Sequence, residues 1–230
     1  MNIYKKLNEY LDSKEKSENY KLIDYTKISE NLSNDNIKEF CKDVENNGFY
    51  AIAVLPENVA TAHSFSKSEF KVSAIIDFPK GTSDTKHKIG EIDKSLVNGA
   101  DEIDVVVNYA LIKEEDSHEK LENEIRELTE FCHREGAIIK LTIEIGALTY
   151  QEIEKMCRMC VDNNVDFITT STGKLSNDDS FETKLEKVKY MRKILPEETN
   201  IKFSGGIRNN EQIKDISSLV SRIGTSIIPQ

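Results

Sequence analysis

Eight short, mostly apolar segments recur along the 230-residue chain, and most are followed by a longer segment with helical periodicity. Nearly continuous apolar runs of this length predict strands that are buried on both faces. Strands that alternate with helices predict right-handed βαβ units around a parallel sheet. The predicted strands span residues 22–26, 49–55, 70–78, 102–107, 137–143, 167–171, 201–204 and 221–224.

Eight such units predict a closed α/β barrel, the eight-stranded parallel (β/α)8 or TIM barrel, in one domain spanning residues 1–230. No linker, repeat or low-complexity tract interrupts the pattern. Residues 2–18 are rich in Lys, Glu, Asn and Leu, and predict an extra amphipathic helix at the N-terminus. The chain ends six residues after Gly224, so we expect the helix after the last strand to be missing or truncated.

Capping residues mark several helix ends. Ser33, Thr82 and Thr149 precede helical segments, and their hydroxyls can accept from free backbone N–H groups, so we predict them as N-caps. Gly48 and Gly136 follow helical segments and are predicted to end them.

Composition and charge exclude several classes of function. The formal net charge is −10 and the pI is near 5.1, with no basic stripe, so a nucleic-acid partner is not expected. No apolar run approaches the ~18 residues of a transmembrane helix. Residues 1–20 are charged throughout and lack the apolar centre of a signal peptide. We therefore expect a cytoplasmic protein.

Two of the four cysteines, Cys157 and Cys160, have the spacing of a metal or redox pair. No second Cys or His pair accompanies them, and they fall in the middle of a predicted helix. We therefore interpret them as ordinary helix residues and predict no metal site.

Residues 166–174 form a predicted strand that runs into a polar loop. Ser171, Thr172 and Gly173 offer hydroxyl and backbone N–H donors, and Lys174 adds a positive charge. This combination suits a phosphate or another oxyanion, although an ordinary strand-to-helix turn has a similar composition. Segments 201–208 and 222–226 also end in glycines and small residues. The loops after the strands of a barrel share one face, so these three segments are expected to converge.

Charged residues stand inside several predicted strands, where burial is costly unless a charge is paired or used. They are Asp24, Asp104, Lys140, Glu144 and Lys202. They could form a carboxylate-and-lysine site at the mouth of the barrel or a structural ion-pair network within it. Asp104 and Lys202 lie near strand ends, which favours function. Lys140 precedes Glu144 by four residues and lies deeper, which favours structure, and Glu144 fits either interpretation.

Six segments, taken in order, resemble the deoxyribose-phosphate aldolase family over nearly the whole chain. They read Leu-Ile-Asp-Tyr-Thr at 22–26, Asp-Phe-Pro-Lys-Gly at 77–81, Gly-Ala-Asp-Glu-Ile-Asp-Val-Val-Val-Asn at 99–108, Lys-Leu-Thr-Ile-Glu-Ile-Gly at 140–146, Ser-Gly-Gly-Ile-Arg at 204–208 and Arg-Ile-Gly-Thr-Ser at 222–226. The resemblance implies a class I aldolase in deoxyribonucleotide catabolism that uses no metal or cofactor. It would reversibly cleave 2-deoxy-D-ribose 5-phosphate to acetaldehyde and glyceraldehyde 3-phosphate. The family forms dimers or tetramers.

The resemblance also implies roles for individual residues. Asp104 matches the proton-handling aspartate, Lys202 the second lysine of the site, and Asp24 the aspartate of the first strand. The implied substrate and phosphate-binding positions are Thr172, Lys174, Gly205, Gly206, Gly224, Thr225 and Ser226.

The chain departs from the family at the residue that forms the Schiff base. The family has lysine where this chain has Thr169, and a hydroxyl cannot form an imine. Three hypotheses follow. The nucleophile has moved to Lys202 or Lys140; the protein binds a small phosphorylated sugar or aldehyde without turnover; or it catalyses proton transfer at a carbonyl through Asp104 and Lys202.

Overall fold

Eight parallel strands close into a barrel in sequence order, with β8 pairing back to β1. The structure, a computed structural model, describes residues 3–29, 31–67, 69–174 and 180–230. The strands are β1 (Ile23–Lys27), β2 (Ala51–Val54), β3 (Lys71–Ile76), β4 (Glu102–Val106), β5 (Ile138–Thr142), β6 (Phe167–Thr169), β7 (Asn200–Ser204) and β8 (Arg222–Thr225). The predicted (β/α)8 barrel is confirmed.

The helices alternate with these strands along the chain. They are α1 (Ile3–Tyr20), α2 (Asn34–Asn47), α3 (Val59–Ser66), α4 (Thr85–Val97), α5 (His118–Arg134), α6 (Tyr150–Asp162), α7 (Phe181–Ile194) and α8 (Asn210–Ser217). Short 3-10 turns at Tyr109–Lys113 and Glu115–Ser117 precede α5. None of the helices in the described ranges is long and apolar enough to cross a membrane.

The strands divide their side chains between two environments. In β5, Ile139 and Leu141 are fully buried in one hydrophobic cluster with Ile125 and Leu128 of α5. Each such side chain contributes roughly 1.5–3 kcal/mol by leaving water. The intervening Lys140 belongs to a polar cluster of the site described below, so alternation along the strand separates an apolar outer layer from a polar interior.

Two predicted helix starts are confirmed in detail. The Ser33 hydroxyl accepts from the backbone N–H of Asn36, and the Thr149 hydroxyl accepts from that of Glu152, each within a capping box. Gly48 ends α2 with a φ of 65°, a left-handed conformation that glycine adopts without steric cost.

The prediction that Thr82 caps α4 is wrong. The N-cap is Asp84, whose carboxylate accepts from the backbone N–H of His87 at 2.8 Å. Both the backbone N–H and the hydroxyl of Ser83 donate to the Asp77 carboxylate. These bonds hold residue 83 in the loop, so the helix cannot start before it.

The two ends of the described chain meet on one flank of the barrel. Glu15 of α1 forms an ion pair with Lys214 of α8 at 3.1 Å, and the Tyr20 hydroxyl donates to the carbonyl oxygen of Pro229 at 2.6 Å. Residues 226–230, which follow β8, form no helix. The extra N-terminal helix therefore packs beside the end of the last strand.

Candidate active site

A cavity of about 710 Å³ opens at the carboxyl ends of the strands. The structure brings ten of the eleven predicted site residues to its lining. They are Asp104, Thr169, Thr172, Lys174, Lys202, Gly205, Gly206, Gly224, Thr225 and Ser226. The eleventh, Asp24, is fully buried and contacts the ammonium group of Lys202. The predicted convergence of the three loop segments is confirmed.

Strand register fixes the depth of each functional residue. Thr169 is the Cα partner of Lys202 on β7 and of Thr142 on β5. Lys140 pairs with Phe167, two residues earlier on β6, and so lies roughly 7 Å deeper along the strand direction. Lys140 is fully buried, whereas Lys202 reaches the cavity.

Lys202 lies between two carboxylates at the floor of the cavity. Its Nζ atom is 2.7 Å from Asp24 Oδ2 and 2.9 Å from Asp104 Oδ2. These are the contacts of a buried ion pair that is also hydrogen-bonded. An acid–base partner therefore lies in direct contact with the amine nearest to Thr169.

Lys140 lies beneath Lys202 and contacts three carboxylates. Its Nζ atom is 2.9 Å from Asp24 Oδ2, 3.2 Å from Asp104 Oδ2 and 2.7 Å from Glu102 Oε2. Both lysines thus contact the same oxygens of Asp24 and Asp104, which makes their ammonium groups close neighbours.

Arg222 completes this buried ionic network, and sequence reasoning missed its part in it. Its guanidinium contacts Asp24 Oδ1 at 3.0 Å and Glu102 Oε1 at 3.2 Å, and lies 3.1 Å from the ring centroid of Tyr50. A signal was present, because Glu102 precedes Asp104 by two residues and Arg222 precedes Gly224 by two. Each therefore shares a strand face with a predicted site residue.

The network favours the charged forms of Asp24, Asp104 and Lys140. Burial alone would raise the pKa of Asp24, but Lys140, Lys202 and Arg222 hold the pKa of that carboxyl well below its ordinary value. For Asp104, burial is likewise outweighed by Lys140 and Lys202, and its pKa is lowered. For Lys140, the nearby carboxylates outweigh burial and raise the pKa.

Two buried oxygen atoms in the lining have no hydrogen-bond partner within the described part of the chain. They are Thr169 Oγ1 and Asp104 Oδ1. A buried polar group left unpaired costs about 1–3 kcal/mol. The Thr169 hydroxyl therefore makes no hydrogen bond to the ionic network within the described residues, although Thr169 is the register partner of Lys202.

The rim of the cavity is built from closely packed loops. Gly205 and Gly206 have φ values of 83° and 85°, in the left-handed region that favours glycine. A Cβ atom on Gly205 would lie 2.8 Å from Ser171 Oγ, and one on Gly224 would overlap Ser204 Oγ. Side chains are thus excluded where the backbone of these loops approaches the cavity.

Glu144 joins two of the loops. It leaves β5 in a left-handed conformation, with φ of 56°, and its buried carboxylate accepts from the backbone N–H of Thr172 at 3.0 Å. The hydroxyl of Thr172 in turn accepts from the backbone N–H of Lys174. Glu144, for which the sequence allowed either a functional or a structural role, therefore holds the loop after β6 in place.

Cys157 and Cys160 are free thiols buried in the middle of α6. Burial raises the pKa of Cys157 to about 12, so this thiol stays protonated. Neither cysteine lines the cavity.

Known proteins of one family resemble this chain in sequence. Residues 10–223 match the model of the DeoC/LacD family aldolases. The chain belongs to this family. The deoxyribose-phosphate aldolase of Thermococcus kodakarensis is 34% identical over 215 residues, which cover 92% of this chain and 94% of the relative.

Solved structures of aldolases have the same fold. The aldolase QR15 superposes with a TM-score of 0.82 and 32% identity, covering 90% of each chain. A deoxyribose phosphate aldolase from Aeropyrum pernix, described as a unique tetramer, superposes with a TM-score of 0.82 at 21% identity, covering 91% of this chain and 87% of the other. Family membership confirms the resemblance that the six motifs carry.

Proposed function

We propose that the protein reversibly cleaves 2-deoxy-D-ribose 5-phosphate to acetaldehyde and glyceraldehyde 3-phosphate, with Lys202 as the Schiff-base nucleophile. One observation carries this proposal. Lys202 is the register partner of Thr169, lines the same cavity, and has its Nζ atom 2.9 Å from Asp104. The amine thus stands one strand away from the position where the family has its nucleophile.

The proposed reaction begins with transfer of a proton from the Lys202 ammonium to Asp104. The neutral amine attacks C1 of the open-chain sugar, and loss of water gives an iminium ion. Asp104, having returned its proton to the departing water, then removes the C3 hydroxyl proton; the C2–C3 bond breaks, glyceraldehyde 3-phosphate leaves and an enamine remains on the lysine. Asp104 gives that proton to C2, and hydrolysis of the resulting iminium ion releases acetaldehyde and restores the Lys202 ammonium group.

Lys140 supports this assignment. In the family mechanism a second lysine stands beside the nucleophile, and its like charge favours the neutral amine. With Thr169 in the chain, Lys140 is the neighbouring cation, because it contacts the same Asp24 and Asp104 oxygens as Lys202. The relocated site would therefore keep a pair of lysines.

A second candidate function is binding of the sugar phosphate without turnover. The observation that favours it is the short contact of Lys202 with both Asp24 and Asp104, at 2.7 and 2.9 Å. An ammonium held by two carboxylates has no lone pair with which to attack a carbonyl. The two candidates differ only in whether Lys202 can lose its proton.

Reductive trapping distinguishes these candidates. The protein is incubated with 2-deoxy-D-ribose 5-phosphate, reduced with borohydride and digested for mass spectrometry. An adduct on Lys202 that is lost in Lys202→Met, and kept in the surface variant Lys193→Met, is the expected result. Absence of an adduct together with measurable binding of the sugar phosphate would replace the aldolase proposal with the binding function.

A homo-oligomer, either a dimer or a tetramer, and a cytoplasmic location remain predictions. Light scattering of the purified protein tests the first, and a monomer would contradict it. Fractionation of the source cells tests the second.

A further inference from the structure

Ser73 of β3 contacts the buried ionic network, although it carries no charge and does not line the cavity. Its side chain is fully buried. The adjacent residues Val72 and Ala74 belong to the outer hydrophobic cluster, so strand alternation directs Ser73 to the barrel interior, on the same face as Ile75, which lines the cavity. The reaction proposed above gives Ser73 no role.

Two hydrogen bonds fix the direction of the Ser73 hydroxyl. Its Oγ atom donates to Asp104 Oδ2 at 2.8 Å and accepts from Lys140 Nζ at 3.2 Å. An ammonium group can only donate and an ionised carboxylate can only accept, so the chemistry of the two partners decides the direction of both bonds. The hydroxyl proton therefore points to Asp104.

Three donors from three strands converge on one oxygen of Asp104. Its Oδ2 atom is 2.8 Å from Ser73 Oγ, 2.9 Å from Lys202 Nζ and 3.2 Å from Lys140 Nζ. The other oxygen, Oδ1, has no hydrogen-bond partner among the described residues. The bond from Ser73 therefore restricts rotation of the carboxylate and keeps the oxygen that contacts Lys202 turned toward it.

A hydrogen bond donated to a carboxylate favours the ionised form and lowers the pKa. Burial raises the pKa of Asp104, but Lys140 and Lys202 lower it, with a net decrease. The charged groups of the network around Asp104 come from its own strand and from four others: Glu102, Asp24, Lys140, Lys202 and Arg222.

Ser73 differs from the lysines because its hydroxyl stays neutral throughout the reaction. In the proposed first step Lys202 gives its proton to Asp104, and the amine then no longer stabilises the ionised carboxylate. The donor bond from Ser73 persists at that stage, so the protonated carboxyl is under pressure to give its proton onward. A stronger acid suits the later steps, in which Asp104 protonates the departing water and C2 of the enamine.

We propose that Ser73 is a positioning residue of the candidate active site, which turns Asp104 Oδ2 toward Lys202 and strengthens the protonated Asp104 as an acid. This inference rests on the proposed function for the role of Asp104. Ser73 itself contacts no substrate and carries no proton between groups, because it lies outside the cavity lining.

The experiment titrates the Asp104 carboxyl carbon by 13C NMR in protein labelled with 13C-aspartate. The unmodified protein is compared with Ser73→Ala, which removes one oxygen atom, with Ser73→Thr and with Ser95→Ala, and Asp104→Asn assigns the resonance. Ser95 is a matched control, because it is also fully buried and its hydroxyl donates at 2.7 Å to the carbonyl oxygen of Glu91 within α4.

Ser73→Ala is expected to raise the midpoint of the Asp104 titration by about one pH unit, the scale of a hydrogen bond to a charged group. Ser73→Thr keeps the hydroxyl and should stay near the unmodified protein, and Ser95→Ala should match it. Equal curves for Ser73→Ala and the unmodified protein, including two curves without a midpoint in the folded range, would overturn the inference. An equal rise in Ser95→Ala would also overturn it, because it would reveal a general effect on the fold.

These titrations need no turnover. A raised midpoint in Ser73→Ala, together with no adduct trapped on Lys202, would support the effect of Ser73 on Asp104 and contradict the aldolase proposal. An adduct on Lys202 together with equal midpoints would contradict the inference on Ser73 alone.

Discussion

Thr169 and Lys202 are Cα partners on the neighbouring strands β6 and β7, and both line the cavity. A lysine at position 169 would therefore bring a second amine into contact range of Lys202. The remaining parts of the site, namely Asp104 and the glycine-rich rim, are already in place around this pair. The residue at this one register position thus decides whether one or two amines lie at the floor of the cavity.

We expect Thr169→Lys to raise aldolase activity on 2-deoxy-D-ribose 5-phosphate by on the order of a hundredfold or more, the scale of one positioned catalytic group. The new amine would occupy the position that the resemblance implies for the family's nucleophile, with Lys202 as its neighbouring cation. A coupled assay of glyceraldehyde 3-phosphate measures the change. A folded Thr169→Lys protein that stays at the activity of the parent would show that the site differs from its relatives at more than this residue.

Thr169→Val is expected to stabilise the protein by about 1 kcal/mol, because it removes a buried hydroxyl that has no partner among the described residues. The matched control is Thr129→Val. The Thr129 hydroxyl is also buried but donates to the carbonyl oxygen of Ile125 at 2.8 Å, so its loss should destabilise the fold. Urea denaturation measures both, and a destabilised Thr169→Val would indicate that its hydroxyl is hydrogen-bonded in solution.

Asp24→Asn is expected to lower the free energy of unfolding by roughly 3–5 kcal/mol, because it leaves three buried cations short of a carboxylate. Glu18→Gln provides the comparison. Glu18 pairs with Lys21 at the surface, where both side chains are 61% exposed, and such pairs contribute about 0–1 kcal/mol. Urea midpoints of the two variants should differ clearly; similar midpoints would mean that the buried network contributes little.

Stability should fall on both sides of a broad pH plateau. The folded-state pKa values of Asp24 and Asp104 lie below the ordinary 3.8, so their contribution is present above that pH and is lost as the pH falls below it. The folded-state pKa of Lys140 lies above the ordinary 10.5, so its contribution is lost as the pH rises past that value. Urea midpoints measured across the pH range test this expectation. In Asp24→Asn, the decrease of the urea midpoint at acid pH should be smaller.

The alternation of strands and helices was enough to predict the barrel. The order of the motifs was enough to predict a set of site residues, ten of which line one cavity. They could not predict the ionic network. Glu102 and Arg222 are 120 positions apart, on β4 and β8, and they meet only because the closed barrel sets a particular stagger between its strands. Alternation within one strand gives the face of a residue but not its partner across the barrel.

Glu144 shows a second limit of the pattern. Alternation placed it on the same face as Lys140, but its left-handed backbone conformation takes it out of the strand and toward Thr172. Local sequence carries no information on this contact.

The buried ionic network has one further property. Its negative charges all come from the first four strands and its positive charges all come from the last four: Asp24, Glu102 and Asp104 against Lys140, Lys202 and Arg222. Each half of the barrel therefore contributes three buried charges of one sign to the network. The oppositely charged partners of these three groups all lie in the other half. The two halves are electrostatic complements, so a chain divided between β4 and β5 would yield fragments that are unstable alone and that recognise each other.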